Sequence, residues 1–447
     1  MLNFLTSRPF ETEMAIRGWE SRDLSRSHSR SRDQRTSRQQ ARHICARPMR
    51  RLAPVAAVVF VALLAAACGG QGSAAGHSAP ETQLGFSTKP SGKVIGYRQV
   101  ICVVNAGSNS VSFVNKQGKE VHPPVAVGNS PFAIALSANN EWAFVANTGW
   151  GVAPGDTITP INLTTFKAAK PIRVGTGPFA VAVTPDGKKA YVANMGSMAP
   201  AASQLATRGY YFDDNVTDAY TVTPINLVTG KPGKNIYSGP GPGAVAITPN
   251  GRWAYVANAG STNNYAGTVS GTVVPIRTST DTTGKPISVG PGPMAIAITP
   301  NGRWAYVANA GWWTHEGHTV TPINLLTNQA LAPIPVGAAP IAIAITPNGR
   351  WAYVANSGYG SDSTVTPINL ATNKPGPPIQ VGPGPVAIAI SPHGHWAYAA
   401  VAGGVTTGPD DIVTPINLNS NQPGKPIVVG IAPGAIAVAD VPELAQG

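Results

Sequence analysis

Between Val100 and Gly430 the chain repeats one phrase seven times, and no single copy is long enough to bury its own apolar faces. Such a sequence must stack its copies against one another. The copy from Ile341 to Gly382 shows the unit best: four apolar runs, Ile341–Ile345, Trp351–Ala355, Val365–Leu370 and Pro378–Gly382, separated by turn residues. Four short strands per unit with tight turns point to a blade of antiparallel sheet. Between the first two runs stands Asn348-Gly349, whose residues tolerate positive φ, so a type I′ hairpin is expected there.

Each run can be counted independently. Asn-Gly-like turns stand at Asn139-Asn140, Asp186-Gly187, Asn250-Gly251, Asn301-Gly302, Asn348-Gly349 and His393-Gly394. The second run ends on Asn105, Asn147, Asn194, Asn258, Asn309 and Asn356, with Val401 in the last copy. The fourth ends on Gly128, Gly175, Gly239, Gly290, Gly337, Gly382 and Gly430. The first copy begins directly on its second run, while an extra first run, Ala435–Val438, follows the last copy. The fold expected is all-β: a seven-bladed β-propeller of four antiparallel strands per blade, its ring closed by the C-terminal strand completing the N-terminal blade and so removing an open sheet edge.

The order Pro-x-Ala-Ile-Ala-Ile-Thr-Pro-Asn-Gly-Arg-Trp-Ala-Tyr-Val-Ala-Asn at Pro340–Asn356 resembles the YVTN family of β-propeller repeats. The resemblance spans roughly three quarters of the chain. It implies the propeller, but that family embraces bacterial surface proteins, binding scaffolds and lactonase-like enzymes. One departure is the Thr-Pro-Ile-Asn third run, whose Pro lacks a ladder donor, so the fourth strand should pair incompletely.

The net charge of +12 belongs mostly to the N-terminus, since 12 Arg face 5 acidic residues in the first 51 positions. The remainder, 20 basic to 15 acidic residues, gives no case for nucleic acid as a partner. Residues 1–48 have an Arg- and Ser-rich composition that cannot bury a core, and Met49 is the expected start in preference to Met1 or Met14. Residues 49–67 read as a signal peptide, Arg50-Arg51 preceding a 16-residue apolar stretch too short for a stable span. Leu64-Ala65-Ala66-Ala67-Cys68 resembles a lipobox with Leu displaced by one position, which makes Cys68 the expected lipidation site and attaches the protein to a membrane outside the cytoplasm; ordinary secretion is the competing reading. Residues 68–93 read as a flexible tether and 94–447 as the propeller. Cys102 stands where other copies carry Tyr or Phe, and is expected to be a buried apolar residue.

The copies differ most in the loops between second and third strands, which antiparallel order places on one face of the ring. Those loops hold Trp150, Tyr210, Tyr211, Tyr265, Trp312, Trp313 and Tyr359, with Asp213, Asp214, Asp362, Asp410 and Asp411 nearby. Aromatics beside acidic groups suit a carbohydrate, a peptide or a cationic ligand; loop packing onto neighbouring blades explains them equally well. His315 and His318, with Glu316, are of ligating type, but they are not spaced as a helical zinc motif, so no metal and no cofactor is expected. The first strands that line the axis carry Ala, Ile and Val rather than an acid–base set. A non-catalytic binding or scaffold module is therefore expected, ahead of a lactonase-like hydrolase or lyase, or an accessory subunit of a cell-envelope complex.

Overall fold

In the computed structural model, residues 86, 93–149, 155–196, 220–260, 271–311, 317–358, 364–402 and 411–444 are described. They form seven small antiparallel sheets arranged as a propeller. In blade 6 the strands are Pro340–Ile345, Trp351–Asn356 and Thr364–Asn369, followed by an outer strand in two pieces, Lys374–Pro375 and Ile379–Gln380. The first strands contact one another around the ring and each pairs on one side only, so their free edges face the axis.

The interrupted outer strand follows from one atom. The Pro367 carbonyl accepts from Gly376 N–H at 2.7 Å, but Pro367 has no N–H to return the bond, and pairing resumes only at Val365 with Ile379. Blades 2 to 7 all carry this Pro and all show the split. Blade 1 has Phe113 there instead, and its outer strand, Glu120–Ala126, is one seven-residue piece, although its pairing shifts register on both sides of Phe113.

The first hairpin differs from its expected form. Gly349 takes φ 66° while Asn348 does not enter the left-handed region, and Gly349 N–H donates to the Thr346 carbonyl at 2.8 Å. Pro347 fixes the first central φ, so the turn is type I with Pro-Asn at its centre and a left-handed Gly after it, not type I′. The Asn348 carboxamide oxygen accepts from Thr346 Oγ1 at 2.7 Å and Arg350 N–H at 3.0 Å, fixing the loop.

Ring closure is more extensive than the four apolar residues suggested. Pro433–Leu444, 12 residues long, pairs with Val94–Asn105 from Asn105↔Pro433 to Val94↔Leu444. Ile436, Val438, Ala439 and Val441 are buried in the joint. Phe86, inside the expected tether, is also buried: its ring meets Trp142 and Phe144 edge-on at 4.9 and 5.2 Å, and its N–H donates to the Leu227 carbonyl.

Adjacent blades meet through two unlike faces. Ile134 and Leu136 of blade 2 pack toward blade 1, whereas Ala133 and Ala135 pack toward blade 3. Alternation of large and small residues thus seats a bulky face on a flat one all round the ring. Long-range hydrogen bonds pin these junctions. Tyr255, Tyr306 and Tyr353, all buried, donate their hydroxyls to Asn328, Asn373 and Asn421 in the third-to-outer turn of the next blade at 3.0, 2.9 and 2.8 Å; Tyr191 donates to Asp281. These acceptors occupy left-handed positions, φ 54–56°, which Asn and Asp tolerate. Where blade 2 has Phe144, with no hydroxyl, blade 3 has Gly230 at the left-handed position.

Candidate functional site

The loop face rests on a buried lock repeated in most blades. Asn356 ends the second strand, and its side-chain amide donates to Thr364 Oγ1 at 3.1 Å and Thr366 Oγ1 at 2.8 Å on the third strand. Asn147, Asn194 and Asn309 do the same to Thr157 and Thr159, Thr221 and Thr223, and Thr319 and Thr321, and Asn105 does so to Ser110 and Ser112. Fully buried, each amide joins the two strands just where the variable loop leaves them. The glycine ending the outer strand of one blade covers the Asn of the next, except that Gly382 faces Val401. A Cβ on Gly128, Gly175, Gly290, Gly337 or Gly430 would fall 2.5–2.6 Å from an Asn side-chain atom. The repeated Asn and Gly are therefore one device, and blade 7, which has Val401, spares the amide: Thr414 Oγ1 donates instead to the Val381 carbonyl at 2.6 Å.

Inside the ring of locks lies an apolar collar. Phe132, Phe179, Met294 and Ile341 each follow the proline that opens a first strand, a position paired next to the lock Asn. They cluster with Met195, Ala259, Ala310 and Tyr220, and the rings of Phe132 and Phe179 lie 4.4 Å apart. At the same position blades 4 and 1 carry Gly243 and Gly434; the side chains of Met195 and Met294 close over the first and that of Phe132 over the second. Sequence reasoning missed the collar, although its signal was present: the residue after that proline is the most variable in an otherwise uniform strand.

Of the residues expected to bind, Trp150, Tyr210, Tyr211, Tyr265, Trp312, Trp313, Tyr359 and His315 lie outside the described residues, as does Cys68. His318 is exposed, immediately before the third strand Thr319–Asn324. Their loops leave the ring on the face where the collar sits. Cys102 is fully buried in the apolar cluster with Phe113 and Phe166, and burial pushes its thiol up to about 12, which makes it an inert core residue. The space left by the missing aromatic ring is shared by Phe166, which stacks on His122 at 4.7 Å and lies beneath the Arg98 guanidinium at 5.0 Å. His393, on the opposite face, is exposed and lies 3.4 Å from Asp440 of the closing strand.

No protein-family model and no curated protein sequence matches the chain. Among solved structures it is similar to Kuenenia stuttgartiensis hydrazine synthase, at TM-score 0.56 and 20% identity over 74% of this chain and 93% of that one. It is also similar to a functionally unknown protein from Desulfotomaculum acetoxidans DSM 771, at TM-score 0.57 and 17% identity over 77% and 99%. At these identities the likeness is one of fold: the chain is a seven-bladed propeller.

Proposed function

We propose that this propeller is a non-catalytic binding protein that engages a carbohydrate or peptide on its loop face. The observation that carries the reading is the contrast on that face: a locked ring of near-identical strand ends surrounds a collar whose side chains change from blade to blade, Phe132 and Ile341 partly exposed over buried Phe179 and Met294. Rigid elements carrying variable side chains are what a binding surface requires, because little entropy is lost when the ligand docks. Aromatic residues of the loop sequences, Trp312 and Trp313 among them, would add stacking surface. The resemblance to YVTN repeats is compatible with this role. Export and anchoring through an acylated Cys68 complete the proposal, resting on the apolar stretch and lipobox-like residues before it.

The test is a panel of oligosaccharides, peptides and lactones offered to the parent and to a W312A/W313A variant. Saturable binding without turnover, weakened at least tenfold in the variant at unchanged thermal stability, supports the proposal. Turnover of a lactone by the parent overturns it in favour of the lactonase-like reading. For anchoring, Cys68→Ala should move the protein from the membrane to the soluble fraction, and unchanged membrane retention would refute acylation.

A further inference from the structure

The junction between blades 7 and 1 keeps the buried tyrosine but lacks the close acceptor that fastens it in the junctions from blade 3 to blade 7. Tyr398 of blade 7 is buried like Tyr353, but the turn it faces in blade 1 is one residue shorter: Val114 pairs with Glu120, whereas Ile416 pairs with Pro423. The left-handed position there is Gly118, φ 78°, which has no side chain to accept the hydroxyl. The Tyr398 hydroxyl reaches Gln99 Oε1 only at 3.5 Å, the outer limit of a hydrogen bond.

At this junction lies a cavity of about 570 Å³, within the size range of small-molecule sites. Gly118 and Lys116 of blade 1 line one side; Trp396, Tyr398, Pro415 and Lys425 of blade 7 line the other. No carboxylate lines it, and among the described residues neither Lys116 nor Lys425 belongs to an ion pair. An indole and a proline ring offer flat apolar contact, two ammonium groups favour an anion, and a buried hydroxyl lacks a good acceptor.

We propose that this seam cavity binds a small carboxylate carried on a ring, with the ring against Trp396 and Pro415. The carboxylate lies with Lys116 and Lys425. The third-to-outer turns lie on the face opposite the variable loops, so this site is separate from the loop-face site and does not depend on it.

Calorimetric titration with benzoate, glucuronate and their uncharged counterparts benzamide and methyl glucoside tests the proposal. At least one carboxylate should bind saturably, and its neutral counterpart at least tenfold more weakly; whether benzoate or glucuronate is preferred distinguishes an aromatic acid from a sugar acid. Both lysines are exposed, so K116Q/K425Q should fold normally and lose about tenfold in affinity per lysine. G118N should project a carboxamide from the turn beside Tyr398, its Cβ pressing on the Ile427 side chain at 3.2 Å, and should narrow the cavity and weaken binding. The W312A/W313A variant should bind the carboxylate as the parent does. Absence of saturable binding for both carboxylates, equal binding by K116Q/K425Q, or binding by a folded G118N variant as tight as by the parent would each overturn the proposal.

Discussion

Replacing Gly337 by Ala tests whether the repeated glycine exists to make room for the buried amide. The new methyl would stand 2.6 Å from the Asn356 side chain, against a comfortable separation of roughly 3.5–4.0 Å, so the amide must shift by about 1 Å. That shift is resisted by its bonds to Thr364 and Thr366, at 3.1 and 2.8 Å. Overpacking of this kind costs about 1–3 kcal/mol and each strained hydrogen bond up to about 1 kcal/mol more. The reduced freedom of the unfolded chain returns about 0.4–1 kcal/mol, leaving a net loss centred on about 2 kcal/mol. Urea unfolding of parent, G337A, N356A and the double variant forms a thermodynamic cycle. With the amide gone the two 2.6 Å contacts vanish and only the Cβ of residue 356, at 2.8 Å, still opposes the methyl, so G337A/N356A should be more stable than the sum of the single losses by about 0.5 kcal/mol or more. Strict additivity would refute the reasoning, since it would mean that the glycine is needed for its backbone and not for the space above the Asn.

Removing residues 431–447 should open the ring. It takes away the buried Ile436, Val438 and Val441, at about 1.5–3 kcal/mol each, a sum comparable with the whole stability of an ordinary domain, and a truncated protein melting with the parent would disprove this closure. Alkali should unfold the protein through its core. Burial raises Cys102, Tyr255, Tyr306, Tyr353 and Tyr398 to about 12, so their protonated forms stabilise the fold fully below the unfolded-state values of 9.0 and 10.0, and that contribution is lost as pH rises toward 12. Denaturant midpoints that stay level from pH 8 to 12 would contradict it. Replacing Pro367 by Val should supply the missing donor, seen as exchange protection at the new residue-367 amide in blade 6, since Pro377 and Pro378 have none to protect; an unprotected amide there would mean that the Pro is not what divides the strand.

The repeat made the strands, the blade count and the closure legible in the sequence, because each run carries its own periodicity and the counts agree. Pro367 and its equivalents were legible too, since a missing N–H acts wherever a ladder needs one. Other features depend on partners far along the chain. Nothing near Tyr306 announces Asn373, 67 residues on, and the pairing emerges only when Tyr–Asn junctions are set beside Phe144 with Gly230 and Tyr398 with Gly118. The closing strand beyond Val438 was hidden by Asp440, Pro442 and Glu443, which break the apolar pattern although the backbone continues to pair. Pro347 was in plain view, but its control over the turn type was given to the Asn-Gly beside it.

The broken outer strands govern how this molecule behaves in a crowd. A propeller turns seven sheet edges outward, each able in principle to recruit a strand from another molecule and begin a fibre. In six blades that edge is reduced to two-residue pieces, several bearing a Lys or a Pro, too short to template an incoming chain. Blade 1 alone keeps a long outer strand, and Pro123 and Pro124 interrupt its donors from within. The proline that costs six blades a ladder hydrogen bond thereby leaves their outer edges poor templates for pairing with a strand of another molecule.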